Sequence, residues 1–94
     1  MFTKTDIELL ITRYNKWIDQ QQIKENKPVV KREEIFLYLY RNNGGSQEVI
    51  LEEWFPLEIT ETAILLASTS DIASEDCEIT LIPLSTIDEI RCGA

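Results

Sequence analysis

Ile35-Phe36-Leu37-Tyr38-Leu39-Tyr40 is a run of six apolar or aromatic side chains, and its reading decides the fold. Periodicity does not separate a strand from a short helix in so brief a run. Aromatic and β-branched content favours a strand. Lys31-Arg32-Glu33-Glu34 in front and Asn42-Asn43-Gly44-Gly45 behind suit a short helix instead. The strand is the preferred reading, with one face against the sheet interior and the other covered by a helix.

That helix is read upstream, over residues 5–24. Thr5 followed by Glu8 has the spacing of a capping box. Ile7, Leu10, Ile11, Tyr14, Trp17 and Ile18 recur at three- and four-residue spacing, the period of one helical face. Trp17 is therefore expected in the core. Asp6 and Glu8 near the start and Lys24 near the end agree with the helix dipole. Asn26-Lys27-Pro28 ends the element, because the residue before a proline avoids helical geometry.

Downstream, Asn42 to Ser46 is a turn, since Asn-Gly and Gly-Gly supply positive φ cheaply. Gln47 to Phe55 reads as a strand interrupted near Pro56, with Leu57-Glu58-Ile59 resuming it. Thr62 to Ser68 reads as a buried strand, and Thr69 to Asp76 as a polar loop anchored by Ile72. From Ile79 to Ile82 the pattern alternates, Ile79 and Leu81 on one face, Thr80 and Ile82 on the other. Pro83 suits the end or edge of that strand. Ile87 to Cys92 is a last strand or a single helical turn. The expectation is one α+β domain over residues 1–94: an amino-terminal amphipathic helix, then predominantly strands over about 34–92. Those four to five antiparallel strands form either a sheet with one face covered or a curled barrel.

Residues 79–90, Ile-Thr-Leu-Ile-Pro-Leu-Ser-Thr-Ile-Asp-Glu-Ile, resemble the last hairpin of small Sm-like barrels. The resemblance implies a shape, in which a helix precedes the strands and a short final strand closes the barrel.

Charge is distributed unevenly. Residues 1–41 carry eight Lys or Arg against six Asp or Glu, a net of +2. Residues 42–94 carry Arg91 alone against eleven acids, a net of −10. The second half would repel phosphate backbones, so no direct nucleic-acid contact is expected. The longest uncharged stretches, nine residues each, fall far below the roughly 20 needed to span a bilayer, and no membrane contact is expected. No hydrophobic run follows the first residues, so no cleaved signal peptide is expected, and the setting is read as cytoplasmic.

The chain has no histidine, which excludes a histidine-dependent serine triad. A zinc site would need carboxylates in place of its usual ligands. Cys77 and Cys92 are read as reduced thiols, with a cross-strand disulfide as the alternative. Asp71, Glu75, Asp76 and Glu78 lack the alternation and central glycine of a calcium loop. Asn43-Gly44-Gly45-Ser46 lacks the lysine of a phosphate loop. No catalytic, metal or cofactor residue is assigned, and no enzymatic activity is expected.

A partner-binding cluster is assigned to Glu52, Glu53, Trp54, Phe55, Glu58 and Glu61. Adjacent Glu52 and Glu53 would point to opposite sides of a regular strand, and Trp54 and Phe55 would not both face inward. An aromatic ring with an acidic rim is an interaction patch. The expected function is an acidic protein-binding or regulatory module for a basic partner surface, in its extreme form a nucleic-acid mimic. The alternative is a self-assembling subunit, in which Tyr38 and Tyr40 share a strand face at a homo-oligomer interface.

Overall fold

The computed structural model describes residues 1–94. Helix α1 (Lys4–Lys24) leads through a 3-10 turn at Arg32–Glu34 to β1 (Phe36–Asn43). Then follow β2 (Ser46–Ile59), β3 (Ala63–Ala67), β4 (Ile79–Pro83), a second 3-10 turn at Leu84–Thr86, and β5 (Glu89–Gly93). The five strands form one antiparallel sheet in the order β4-β3-β2-β1-β5. The arrangement is α+β.

The helix cap lies two residues before the expected one, Thr5. Thr3 is the N-cap: its hydroxyl accepts from the Asp6 amide at 3.2 Å, and Asp6 accepts from the Thr3 amide at 2.9 Å. Thr5 and Glu8 match the same spacing, so spacing alone does not choose between the two frames. The Thr3 frame puts Phe2 just before the cap and Ile7 four residues after it, and both join the core in the manner of a hydrophobic staple. Glu8 is then free to pair with Arg32 at 2.6 Å. At the other end Asn26 turns left-handed at φ 58°, and the Lys27 amide donates to the Gln22 carbonyl at 2.8 Å. That is a Schellman ending, with asparagine where glycine is usual.

Phe36–Tyr40 resolves as strand, with Ile35 closing the 3-10 turn just before it. Ile35, Leu37 and Leu39 are fully buried, while Phe36, Tyr38 and Tyr40 alternate onto the outer face and stay half-buried. The expectation that a helix covers that second face is corrected. Alpha helix α1 packs on the inner side, through Ile7 and Ile11, so the outer rings are covered by one another. Gly44 and Gly45, both at positive φ, close the two-residue turn into β2.

Strand β2 changes partner midway. Residues 46–54 pair with β1, and residues 55–59 with β3. The strand runs through Pro56 unbroken, and the interruption expected near it takes the form of a register shift between Pro56 and Glu58. Pro56 faces Leu66, whose neighbours alternate so that the proline nitrogen points towards the β1 side, where pairing has already ended. A missing N–H is harmless there.

The five residues between β4 and β5 draw the sheet around its core. Leu84 and Ile87 in this link are buried. The Leu84 amide bonds to the Thr62 carbonyl at 2.9 Å, and the Asp88 amide to the Tyr40 carbonyl at 2.8 Å. The sheet curls, but no ladder joins β4 to β5. It is not closed into a barrel, so the short last strand implied by the Sm-like resemblance is present without the closure.

Trp17 is 54% exposed, against expectation. The 21-residue helix is about 31 Å long, whereas the buried stretch Ile35–Leu39 covers about 13 Å. The helix outruns the core, and its buried residues, Ile7 and Ile11, lie in its first half. Ile72 is likewise exposed and does not anchor its loop. Cys77 and Cys92 are unbonded, and burial pushes the Cys92 thiol up to about 11. No helix is long and apolar enough to cross a membrane.

The two capping frames separate by mutation. Thr3→Ala is expected to lower stability by about 1 kcal/mol in urea unfolding, and Thr5→Ala to leave it nearly unchanged. The Thr3 bonds hold the Asp6 carboxyl below its ordinary range. The box's contribution is therefore present above the unfolded carboxylate pKa and fades as pH falls through the lowered folded value.

Candidate functional site

The register of β1 against β2 builds the site. Leu37 faces Trp54 and Leu39 faces Leu51, so between these pairs one residue of β1 matches two of β2. Glu52 and Glu53 together oppose the single residue Tyr38, which defines a β-bulge. Glu53 takes up the extra length at φ 58°, a conformation costly for a residue with a Cβ. The expectation that the two glutamates point to opposite faces fails here, because alternation breaks at a bulge. Tyr38 donates to Glu53 Oε1 at 3.0 Å.

The bulge also sorts the aromatic pair. Trp54 packs inward against the core. Phe55 lies outward, edge-on to Phe36 at 5.9 Å, and Phe36 is edge-on to Tyr38 at 5.6 Å. Gly93 beneath Phe36 leaves no room for a side chain, since a Cβ there would collide with the ring. Further along the same face, the Arg91 guanidinium sits 4.8 Å from the centre of the Tyr40 ring and pairs with Glu89. The face thus carries Phe55, Phe36, Tyr38 and Tyr40 in sequence, with Glu52 and Glu53 beside Tyr38.

Glu48 is held below its usual range first by a hydrogen bond from Asn43 and then by Arg41 at 2.9 Å, and Glu89 first by Arg91 and then, more weakly, by Gln47. None of the chain's ion pairs includes Glu52 or Glu53. The Tyr38 hydroxyl is pushed above its ordinary pKa, first by its bond to Glu53, then by burial and the nearby charges of Glu53, Tyr40 and Glu52.

Of the six assigned residues, the structure gathers Glu52, Glu53 and Phe55. Trp54 belongs to the core. Glu58 lies further along β2, facing Leu65, and lines a cleft of about 270 Å³ with Glu8, Arg32 and Leu57. Glu61 sits in the exposed β2–β3 turn. Phe36 and Arg91 belong to the face and were not assigned from sequence. The alternation of Phe36, Tyr38 and Tyr40 was the available signal for the first, and nothing local marked the second.

Replacing Glu53 by glutamine is expected to shift Tyr38 back towards its ordinary pKa in an ultraviolet tyrosinate titration. Glu53→Gly should do the same while leaving urea stability equal or higher, because glycine takes positive φ without a steric penalty. Comparison with models of known families, with curated protein sequences and with solved structures finds no match for this chain.

Proposed function

We propose that this chain is a non-catalytic docking module whose outer face, centred on Tyr38, receives basic side chains of a protein partner. The observation that carries this reading is the bulge. It sets two carboxylates lacking a cation of their own beside a row of half-buried aromatic rings. Carboxylates supply charge complementarity, and ring faces attract cations. The Arg91 guanidinium over Tyr40 is an instance of that attraction within the chain. A net charge of −8 favours encounter with a basic surface. Glu58 and Glu61 stand apart from the pair, so the spacing favours one or two basic side chains over the long track of a nucleic-acid mimic. A regulatory role in the cytoplasm, where both thiols stay reduced, fits this reading. The second reading, a self-assembling subunit, is favoured by the free apolar edge of β4.

Binding to a Lys- and Arg-rich peptide, followed by fluorescence anisotropy, tests the docking face. Affinity is expected to fall as salt rises. The double variant Glu52→Gln with Glu53→Gln is expected to bind about tenfold more weakly, a difference of about 1.4 kcal/mol. The paired change Glu58→Gln with Glu61→Gln should have little effect. Binding indifferent to salt and to Glu52 and Glu53 would contradict the proposal.

A further inference from the structure

The outer face of the sheet, on the side away from α1, carries an apolar band that the core does not use. Strand register builds it. Phe36 of β1 lies edge-on to Phe55 of β2, Phe55 pairs with Ala67 of β3, and Ala67 pairs with Ile79 of β4. One apolar row thus crosses four adjacent strands. Leu65 opposite Leu81 sets a second apolar pair beside it. None of these residues belongs to the inner cluster around Ile7 and Leu37. Thr80 and Ile82, which alternate with Ile79 and Leu81, pair instead with the buried core residues Leu66 and Ile64. Ile79 is 57% exposed and Leu81 60% exposed, and α1 packs on the other side of the sheet. An exposed apolar patch rimmed by charge marks an interaction surface.

Charge and backbone chemistry define what covers it. At the β1–β2 end stand Glu52 and Glu53 beside Tyr38, and neither belongs to any of the chain's ion pairs. Arg91, the cation on this face, is held by Glu89 and lies over Tyr40. The covering group therefore brings a cation to that end. The band lies on a face of the sheet, where strands present side chains and keep their backbone groups in the plane of the ladders. An extended segment laid on it would bury its own N–H and C=O groups without partners, whereas a helix pairs its backbone internally. From Tyr38 to Ile79 the path crosses three strand spacings and runs two residues along β1, about 16 Å, or about three helical turns.

We propose that the band receives an amphipathic helix of the partner, about three turns long, apolar on its buried side and carrying lysine or arginine at the end that reaches Glu52 and Glu53. Resting on the docking reading above, the band adds the shape of the partner to its charge. The carboxylates direct encounter and fix which end lies at Tyr38. Contact with Phe55, Leu65, Ile79 and Leu81 then holds the helix, through apolar side chains spaced three and four residues apart.

Two fluorescent peptides of equal charge test this by anisotropy. One carries leucines at i, i+4 and i+7 next to a terminal pair of arginines, and the other has serine at the leucine positions. The leucine peptide is expected to bind at least about tenfold more tightly and to gain helical circular dichroism on binding. Ile79→Ser combined with Leu81→Ser, at two exposed positions, should remove that advantage and leave the serine peptide's affinity unchanged, with urea unfolding showing the variant to be folded. Glu52→Gln combined with Glu53→Gln should weaken both peptides. Equal affinity of the two peptides, or a leucine peptide indifferent to positions 79 and 81, overturns the band while the docking of basic side chains at Tyr38 stands. A leucine peptide that binds without gaining helix overturns the helical partner. Indifference of both peptides to Glu52 and Glu53 overturns the docking reading itself, and the placement of the helix with it.

Discussion

One strand, β2, serves two ladders, and the geometry of the molecule follows from how it does so. Its first nine residues belong to β1 and its last five to β3. A straight strand cannot hold both partners around one small core. The bulge at Glu52 and Glu53 supplies the bend, at the cost of a glutamate in the left-handed region. Two further register shifts, one opposite Leu39 and Tyr40 and one between Pro56 and Glu58, add to it. The same irregularity that curls the sheet breaks side-chain alternation, and so it collects two carboxylates at one tyrosine.

The curl has a second consequence. Leu84 and Ile87 are pulled into the core by the link from β4 to β5, which brings the two edge strands round without joining them. Only 11 of 94 residues are buried, so the monomer's core is thin. Several of the half-buried residues against it, Ile82, Ile90 and Cys92, lie on the two edge strands. Covering an edge therefore adds to burial as well as satisfying backbone groups.

Much of the fold was legible because periodicity reports local geometry. The helix, the Gly44-Gly45 turn, the alternation at Ile79–Ile82 and the strand at Phe36–Tyr40 all follow from spacing and residue type. Features set by tertiary register were not legible. Thr3 and Thr5 are equal as caps until Phe2 and Ile7 are packed together. Trp17 continues an apolar stripe, but a stripe does not tell how far the sheet beneath it extends. Glu52-Glu53 reads as ordinary strand until β1 is laid against it, because a bulge is a property of a pair of strands. The same reason explains why three of the assigned site residues gathered while Trp54, Glu58 and Glu61 went elsewhere.

The most direct measurement is a backbone and aromatic NMR titration with a basic peptide at low salt. Perturbations centred on Tyr38, Glu52, Glu53 and Phe55, with α1 and the cleft beside Arg32 undisturbed, are the predicted result. Perturbations centred on the Glu58 cleft or the helix, with the bulge silent, would contradict the claim that the irregularity in β2 builds the docking face.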